Sequence, residues 1–178
     1  MAQRSPEATL PAFDCEVIVV GGGPAGSAAA AWLAREGHSV TVIDISTEAF
    51  TRLEEDFPGE AVRGDGTDED VLRRAGADSA DLFLALTEGD NRNVLAAQLA
   101  TETFDIERVV AKINDPVRAE AYRELGMATI CRTRLLVDAL ARHVGLPADP
   151  GAEGVSLPTQ PHVHGNPEPL VAASGSTE

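Results

Sequence analysis

The chain has 178 residues, and its size and charge set the first limits on its function. This length fits one domain with a single core and is too short for a dehydrogenase that carries its own substrate domain. Acidic residues number 29 against 14 basic residues, which gives a formal net charge of -15. Such a charge repels phosphodiester backbones and anionic lipid surfaces, so we expect no nucleic-acid partner.

Cysteine spacing and hydropathy both favour a cytoplasmic protein. Cys15 and Cys131 fall in apolar stretches without the paired spacing of a disulfide framework, and no secretory leader precedes them. No apolar run approaches the roughly 20 residues that a membrane helix needs. We therefore expect a reduced cytosolic compartment and no membrane span in this chain.

Composition divides the chain into three segments. Residues 1–14 are polar, contain Pro6 and Pro11 and show no periodicity, so we expect a flexible leader. Residues 15–145 alternate apolar and amphipathic stretches. From residue 146 to 178, Pro, Gly, Ser and Thr dominate, and we predict a disordered tail. His162 and His164 in this tail lack companion ligands, so the pattern favours no metal site.

Short apolar runs and helical stretches alternate in the central segment. Runs without polar alternation are typical of strands that are covered on both faces, and their alternation with helices predicts a parallel sheet. Thr67 with Asp70 suits a capping box, and Asp115 before Pro116 suits a helix N-cap. We predict a single-domain, Rossmann-like, doubly wound α/β fold with six parallel strands: Glu16–Val20, Val40–Ile45, Ala61–Arg63, Leu82–Leu86, Arg108–Ile113 and Thr129–Cys131.

The last predicted helix spans Arg134–Val144. It places Leu136, Ala139, Leu140 and His143 at helical spacing on one face. That face could seal the core or pair with a second subunit.

A glycine-rich loop connects the first predicted strand to a helix of small residues. In the order strand, G-x-G-x-x-G, helix, the first glycine permits a tight turn, the second lets the backbone approach a pyrophosphate, and the third lets helix and strand pack closely. Unpaired amides at the helix start then face the phosphates. The sequence therefore predicts a phosphate cradle at Gly21, Gly22, Gly23, Pro24, Ala25 and Gly26.

A carboxylate ends the second predicted strand, at Asp44, with Ile45 after it. An acid at this position accepts hydrogen bonds from both ribose hydroxyls and repels a 2'-phosphate. We predict that Asp44 and Ile45 bind the adenosine half of a ligand, and that NAD, NADH, ADP or ATP is favoured over NADP. Asp65 and Thr87 also follow strands, where open sheets bind ligands, although each could equally hold a turn or cap a helix.

Motifs beyond the loop resemble the RCK family, also called the KTN or TrkA N-terminal family. The resemblance extends from about residue 17 to about residue 140. It implies a cytosolic regulatory subunit of a potassium uptake system, which gates a membrane pore partner when nucleotide is exchanged. The motifs that carry it are Gly64–Ala77, Ala80–Thr87, Asp90–Asn93 and Val110–Pro116.

The same resemblance implies several ligand contacts. Asp65 and Gly66 are expected beside the adenine, and Thr87 and Glu88 near the ribose or the pyrophosphate. Lys112 stands where family members often place an arginine, and the alternative is a lysine at a strand end with its ammonium in solvent. Related domains pair through their last helices, which implies a homodimer or a higher homo-oligomer.

Two positions depart from the family pattern. Pro24 replaces an arginine that meets the terminal phosphate in ATP-sensing relatives, and Thr133 replaces a glutamate that helps to hold a cation. These departures favour NAD as the ligand, with ADP or ATP as the alternative, although an arginine from a partner subunit could restore the charge. Many members also continue into a second ligand-binding domain, whereas we expect here a nucleotide module that acts alone or with a separate pore subunit.

A small FAD- or NAD(P)-dependent oxidoreductase is the alternative that the glycine loop leaves open. Flavin enzymes with this loop usually end the second strand in glutamate and need a much longer chain, whereas this chain has Asp44. A dehydrogenase also needs a general acid or base at the hydride centre. His38 precedes the second strand on the side away from the site, and His143 lies on the last helix, so we expect no enzyme.

Overall fold

Strands and helices alternate in the computed structural model, which describes residues 16–147 and 155–156. The predicted leader, Cys15, and most of the predicted tail with its two histidines lie outside these residues. Two 3-10 helices, Thr47–Arg52 and Ala77–Ser79, join the regular elements. These are β1 (Glu16–Val20), α1 (Pro24–Arg35), β2 (Ser39–Asp44), β3 (Glu60–Arg63), α2 (Glu69–Arg74), β4 (Leu82–Ala85), α3 (Asp90–Glu102), β5 (Arg108–Ile113), α4 (Pro116–Glu124), β6 (Ala128–Cys131), α5 (Arg132–His143) and β7 (Val155–Ser156).

The strands form one sheet in the order β3-β2-β1-β4-β5-β6-β7. Strands β1 to β6 are parallel, which confirms the predicted Rossmann-like fold. Strand β7 pairs antiparallel with β6, in a stretch that the sequence predicts to be disordered. The predicted count of six strands omitted it, because two residues carry no periodic signal.

Strand β1 forms the centre of the core and is buried on both faces. Val17 and Val19 pack towards α1 against Ala30 and Leu33. Ile18 and Val20 face the opposite side of the sheet, where they join a cluster with residues of α2 and α3. Burial on both faces explains why this strand is a continuous apolar run without polar alternation.

Side-chain caps fix the starts of two helices. Asp115 accepts hydrogen bonds from the amides of residues 117 and 118, which confirms the predicted cap of α4. The predicted capping box at Thr67 is wrong, because Asp68 caps α2 by accepting from the amides of Asp70 and Val71. Thr67 instead donates its amide and hydroxyl to Asp65, so its side chain is already engaged.

Helix α5 leaves its apolar face open. It begins two residues earlier than predicted, none of its residues is buried, and Leu136 and Leu140 are 60% and 55% exposed. The expectation that this helix could seal the core is therefore wrong. None of the helices within residues 16–147 combines the length and the apolar composition that crossing a bilayer requires.

Candidate functional site

A cleft of about 390 Å³ opens at the carboxyl ends of β1, β2, β3 and β4. The chain leaves β1 for β2 on one side and returns through β3 to β4 on the other, so the connections diverge at β1. Open parallel sheets bind ligands at such a switch point, and the volume lies in the range of small-molecule sites. Nine of the predicted site residues line the cleft: Gly21, Gly23, Pro24, Asp44, Ile45, Asp65, Gly66, Thr87 and Glu88.

Four predicted residues do not line the cleft: Gly22, Ala25, Gly26 and Lys112. Gly22 and Gly26 hold the shape of the loop, and Ala25 lies in the first turn of α1. For Lys112 the structure provides no cleft contact, and its role in binding stays a prediction.

The glycine loop is shaped by close backbone contacts. Gly21 has a φ of 107°, and a Cβ atom on it would lie 2.8 Å from the Thr87 amide nitrogen. A Cβ atom on Gly26 would lie 1.7 Å from the Gly21 carbonyl oxygen, whereas one on Gly23 would meet nothing within 4 Å. Gly21 and Gly26 thus allow the turn and the helix packing, and Gly23 presents its backbone to open space.

Unpaired backbone donors stand at the start of α1. The amides of Gly23, Ala25 and Gly26 donate to no acceptor in the part of the chain that the structure describes, and Pro24 has no amide hydrogen. These donors, together with the positive end of the helix dipole, attract an anion. Helix α3 also begins at the cleft, beside Thr87 and Glu88.

Asp44 is fixed in place by two backbone amides. Its Oδ2 accepts from the Gly22 amide at 2.7 Å, and its Oδ1 accepts from the Ser46 amide at 2.8 Å. Each carboxylate oxygen accepts more than one hydrogen bond, so both retain capacity for a ribose hydroxyl. The glycine loop and the carboxylate are thereby joined into one site.

Asp65 holds the turn that follows β3. Its Oδ1 accepts from the Thr67 amide at 3.0 Å and from the Thr67 hydroxyl at 2.9 Å. These two bonds, with the charge of Arg92 as a smaller cause, lower the pKa of Asp65 below its usual value. The turn role that the sequence left open is therefore present, in a residue that also lines the cleft.

Asn93 anchors the Thr87 side of the cleft and is fully buried. Its Oδ1 accepts from the Thr87 amide at 2.8 Å and from the Thr87 hydroxyl at 2.6 Å. Its Nδ2 donates to the Thr87 carbonyl at 3.0 Å and to the Lys112 carbonyl at 2.7 Å. Sequence reasoning gave this asparagine no role, although a polar residue on the apolar face of a helix was the available signal.

Lys112 is only 8% exposed, so most of its side chain is packed inside the protein. Burial lowers the pKa of Lys112, and the charge of Arg132 lowers it further, while Glu88 and Asp90 act in the opposite direction. The lysine side chain thus carries a desolvation penalty in its charged form.

Arg52 and Arg92, which are not among the predicted site residues, also line the cleft. These cations lie outside the glycine loop, so the expectation that a terminal phosphate lacks a cation in this chain is incomplete. Arg92 lies in the first turn of α3, where the helix dipole disfavours a cation, and this was a usable signal. Four carboxylates line the same cleft: Asp44, Glu48, Asp65 and Glu88.

No group of three or more His, Cys, Asp or Glu side chains within residues 16–147 is arranged to hold a metal ion. His38 lies just before β2, at the amino ends of the strands and away from the cleft, as predicted. His143 lies on α5, also as predicted.

A parallel sheet with this glycine loop after β1 and a carboxylate at the end of β2 defines a nucleotide-binding domain of the Rossmann class. Residues 17–133 match the model of the TrkA-N domain. The chain belongs to that family.

Comparison with known proteins agrees with this assignment. The chain is 44% identical over 137 residues to the Trk system potassium uptake protein TrkA of Streptomyces coelicolor, an alignment that covers 77% of this chain and 60% of that relative. The chain thus spans about 60% of the length of this curated relative.

Two solved structures share the fold. The AMP-bound Kef C-terminal domain of Shewanella denitrificans matches with a TM-score of 0.64 and 22% identity, over 76% of this chain and 84% of that one. The TrkA-N domain of the inner membrane protein ybaL of Escherichia coli matches with a TM-score of 0.63 and 19% identity, over 73% of this chain and 96% of that one.

Proposed function

We propose that the chain is a regulatory subunit of a potassium uptake system and that it senses NAD or NADH in the cleft after β1. One observation carries the proposal: the hydrogen bond from the Gly22 amide to Asp44 Oδ2 joins a phosphate cradle to a ribose acceptor. Preorganised sites bind more tightly, because less ordering is required on association. The potassium system itself is proposed from the relative named as a potassium uptake protein.

The charge of the cleft favours a dinucleotide over ATP. Its four carboxylates outnumber Arg52 and Arg92, so the side chains lining it sum to a negative charge. NAD+ brings two phosphates and a compensating nicotinamide cation, whereas ATP brings three phosphates and no cation. Asp44 in turn repels the 2'-phosphate of NADP, which places NADP last.

A sensor accounts for the site better than an oxidoreductase does. Hydride transfer to a carbonyl needs a proton donor near the nicotinamide. Thr87 donates both its amide and its hydroxyl to Asn93, so its hydroxyl is already engaged and is not offered as that donor. The nucleotide is therefore proposed as a bound signal that this chain does not turn over.

The proposed partners are a membrane potassium transporter or channel subunit and a second copy of this chain. The open apolar face of α5, with Leu136 and Leu140, is the proposed homodimer contact, because large exposed apolar side chains on one face are typical of an interface. The proposed location is the cytoplasmic side of the membrane, which the chain would reach through its pore partner.

A panel of ligands tests the nucleotide assignment. We expect NAD and NADH to raise the melting temperature of the purified chain most, ADP less, ATP less again and NADP least. Equal concentrations and a magnesium-free buffer keep the comparison one of charge and shape. A melt that no nucleotide shifts, or a panel led by ATP or NADP, would contradict the proposal.

Rubidium uptake tests the physiological role. Cells of the source organism are compared with cells whose chromosomal copy carries Asp44→Asn, or Glu48→Gln as a control with the same loss of charge in the same cleft. We expect altered uptake with Asp44→Asn and near-normal uptake with Glu48→Gln. Unchanged uptake in both strains, at normal protein levels, would count against a role in potassium transport.

Light scattering after size exclusion tests the homodimer. Leu136→Glu and Leu140→Glu should each shift the chain to the monomer mass, because a charge in the apolar contact is left without a partner. Val117, on α4, is 78% exposed, and Val117→Glu is the matched control. A monomer in the wild-type chain would refute the proposed contact.

A further inference from the structure

We infer that Arg52 and Arg92 are specificity-determining residues of the cleft and that they bind the linked phosphates of the ligand from the two sides of the cleft. The inference rests on the proposed nucleotide function and deepens it. It assigns to this chain its own phosphate-binding cations, outside the glycine loop.

Both guanidinium groups are free to take a ligand. Arg52 and Arg92 line the cleft, and neither side chain makes a hydrogen bond or an ion pair within residues 16–147, while the charge of Arg92 also acts on Asp65. Arg35, by contrast, pairs with Glu54 on the outside of the same fold. Arginine presents a planar fork of donors that matches phosphate oxygens, so an unpartnered arginine in a cleft suits an anionic ligand.

The position of Arg92 is unfavourable in the free chain. It lies in the first turn of α3, where the positive end of the helix dipole repels a cation. Residues that break a local rule in this way are expected at functional sites. A bound phosphate would lie close to both the helix start and the guanidinium. Its negative charge would attract both, and this attraction would offset the repulsion between them.

The two arginines reach the cleft from opposite halves of the sheet. Arg52 ends the 3-10 helix that follows β2, and Arg92 begins the helix that follows β4. The phosphate cradle follows β1, which lies between those two strands. A diphosphate on the cradle is therefore flanked by one arginine on each side.

The two arginines also offset part of the negative charge of the cleft. The four carboxylates that line it repel phosphate, and backbone amides alone must otherwise offset them. A ligand with two linked phosphates can engage both arginines, AMP can engage one fully, and adenosine engages neither. The arginines thus select for a nucleoside diphosphate group, which NAD and ADP share.

Isothermal titration with NAD, ADP, AMP and adenosine tests this inference. The variants are Arg52→Gln and Arg92→Gln. The control is Arg108→Gln, which removes the same charge at the start of β5, at the amino ends of the strands and away from the cleft. We expect each cleft variant to raise the Kd of NAD and ADP roughly 3- to 10-fold, and that of adenosine less than about twofold. Arg108→Gln should leave all four affinities unchanged.

Salt provides a readout that a purely structural role would not move. The loss in the cleft variants should shrink as ionic strength rises, because the screening length falls from about 10 Å at 0.1 M to about 3 Å at 1 M. Wild-type binding of NAD with unchanged affinity in both cleft variants would overturn the inference and leave the proposed function standing. No binding of any nucleotide to the wild-type chain would overturn both.

Discussion

Asp44→Asn separates the two roles of the carboxylate at the end of β2. The asparagine keeps the size of the side chain and one carbonyl oxygen but loses the charge and one acceptor. In the free chain, one of the two backbone amides of Gly22 and Ser46 then faces an NH₂ group. In the complex, one ribose hydroxyl loses its acceptor.

The structure gives the size of each effect. A hydrogen bond to a charged group contributes about 1.5–3 kcal/mol, and the lower end applies because Asp44 is only half-buried and water competes. A loss of about 2 kcal/mol raises the Kd of NAD roughly 30-fold. The lost bond to the Gly22 amide costs about 1 kcal/mol of stability, or about 3–5 °C in melting temperature.

Titration calorimetry and a ligand-free melt measure the two effects independently. Glu48→Gln is the control, because it removes the same charge from the cleft and its carboxylate makes no hydrogen bond to the glycine loop. If carboxylate repulsion of phosphate dominated, both variants would bind NAD more tightly. Equal or tighter binding by Asp44→Asn would refute the assignment of this residue as the ribose acceptor.

Three further substitutions follow from contacts in the structure. Gly26→Ala should lower the free energy of unfolding by about 2 kcal/mol or more in a urea melt, because its Cβ atom would lie 1.7 Å from a carbonyl oxygen. Gly23→Ala is the matched control for stability, because its Cβ atom would meet nothing within 4 Å. It should unfold like the wild-type chain and still lose NAD affinity in calorimetry. Asn93→Ala should cost about 2–4 kcal/mol in the same melt, since it leaves buried backbone groups unpaired, and a loss below about 1 kcal/mol would contradict the anchoring role. Lys112→Met should raise the melting temperature at pH 7, because burial disfavours the charged amine. Between the lowered pKa of Lys112 in the folded chain and 10.5, the unfolded chain binds more protons than the folded chain. The stability of the wild-type chain therefore rises with pH in that window, and this rise should be absent from Lys112→Met.

The parallel sheet was predictable because its signals are local. The apolar run of β1 and the glycine loop after it fix the order strand, turn and helix, and Asp115 with Pro116 marks a helix start that the structure confirms. Strand β7 was not predictable, because its two residues pair only through the edge of β6. The predicted N-cap of α2 was one residue too early. Thr67 and Asp68 are both residue types that cap helices, and only the turn at Asp65, which engages Thr67, decides between them.

The candidate site was predictable where it depends on strand ends and missed where it depends on helix surfaces. Asp44 and Thr87 follow strands, so their position at the cleft follows from the topology. Arg52 and Arg92 lie on helices, and their approach to the cleft depends on how those helices pack against the sheet. The anchoring role of Asn93 was missed because its partners, Thr87 and Lys112, are brought to it by the pairing of β4 with β5.

A crystal structure of the chain grown with NAD tests the central claim most directly. We expect the pyrophosphate at the amides that follow Gly21, and the adenosine ribose with both hydroxyls on the Asp44 carboxylate. We also expect little movement of that carboxylate, because the amides of Gly22 and Ser46 hold it. NAD bound elsewhere on the chain, or an adenosine ribose turned away from Asp44, would contradict it.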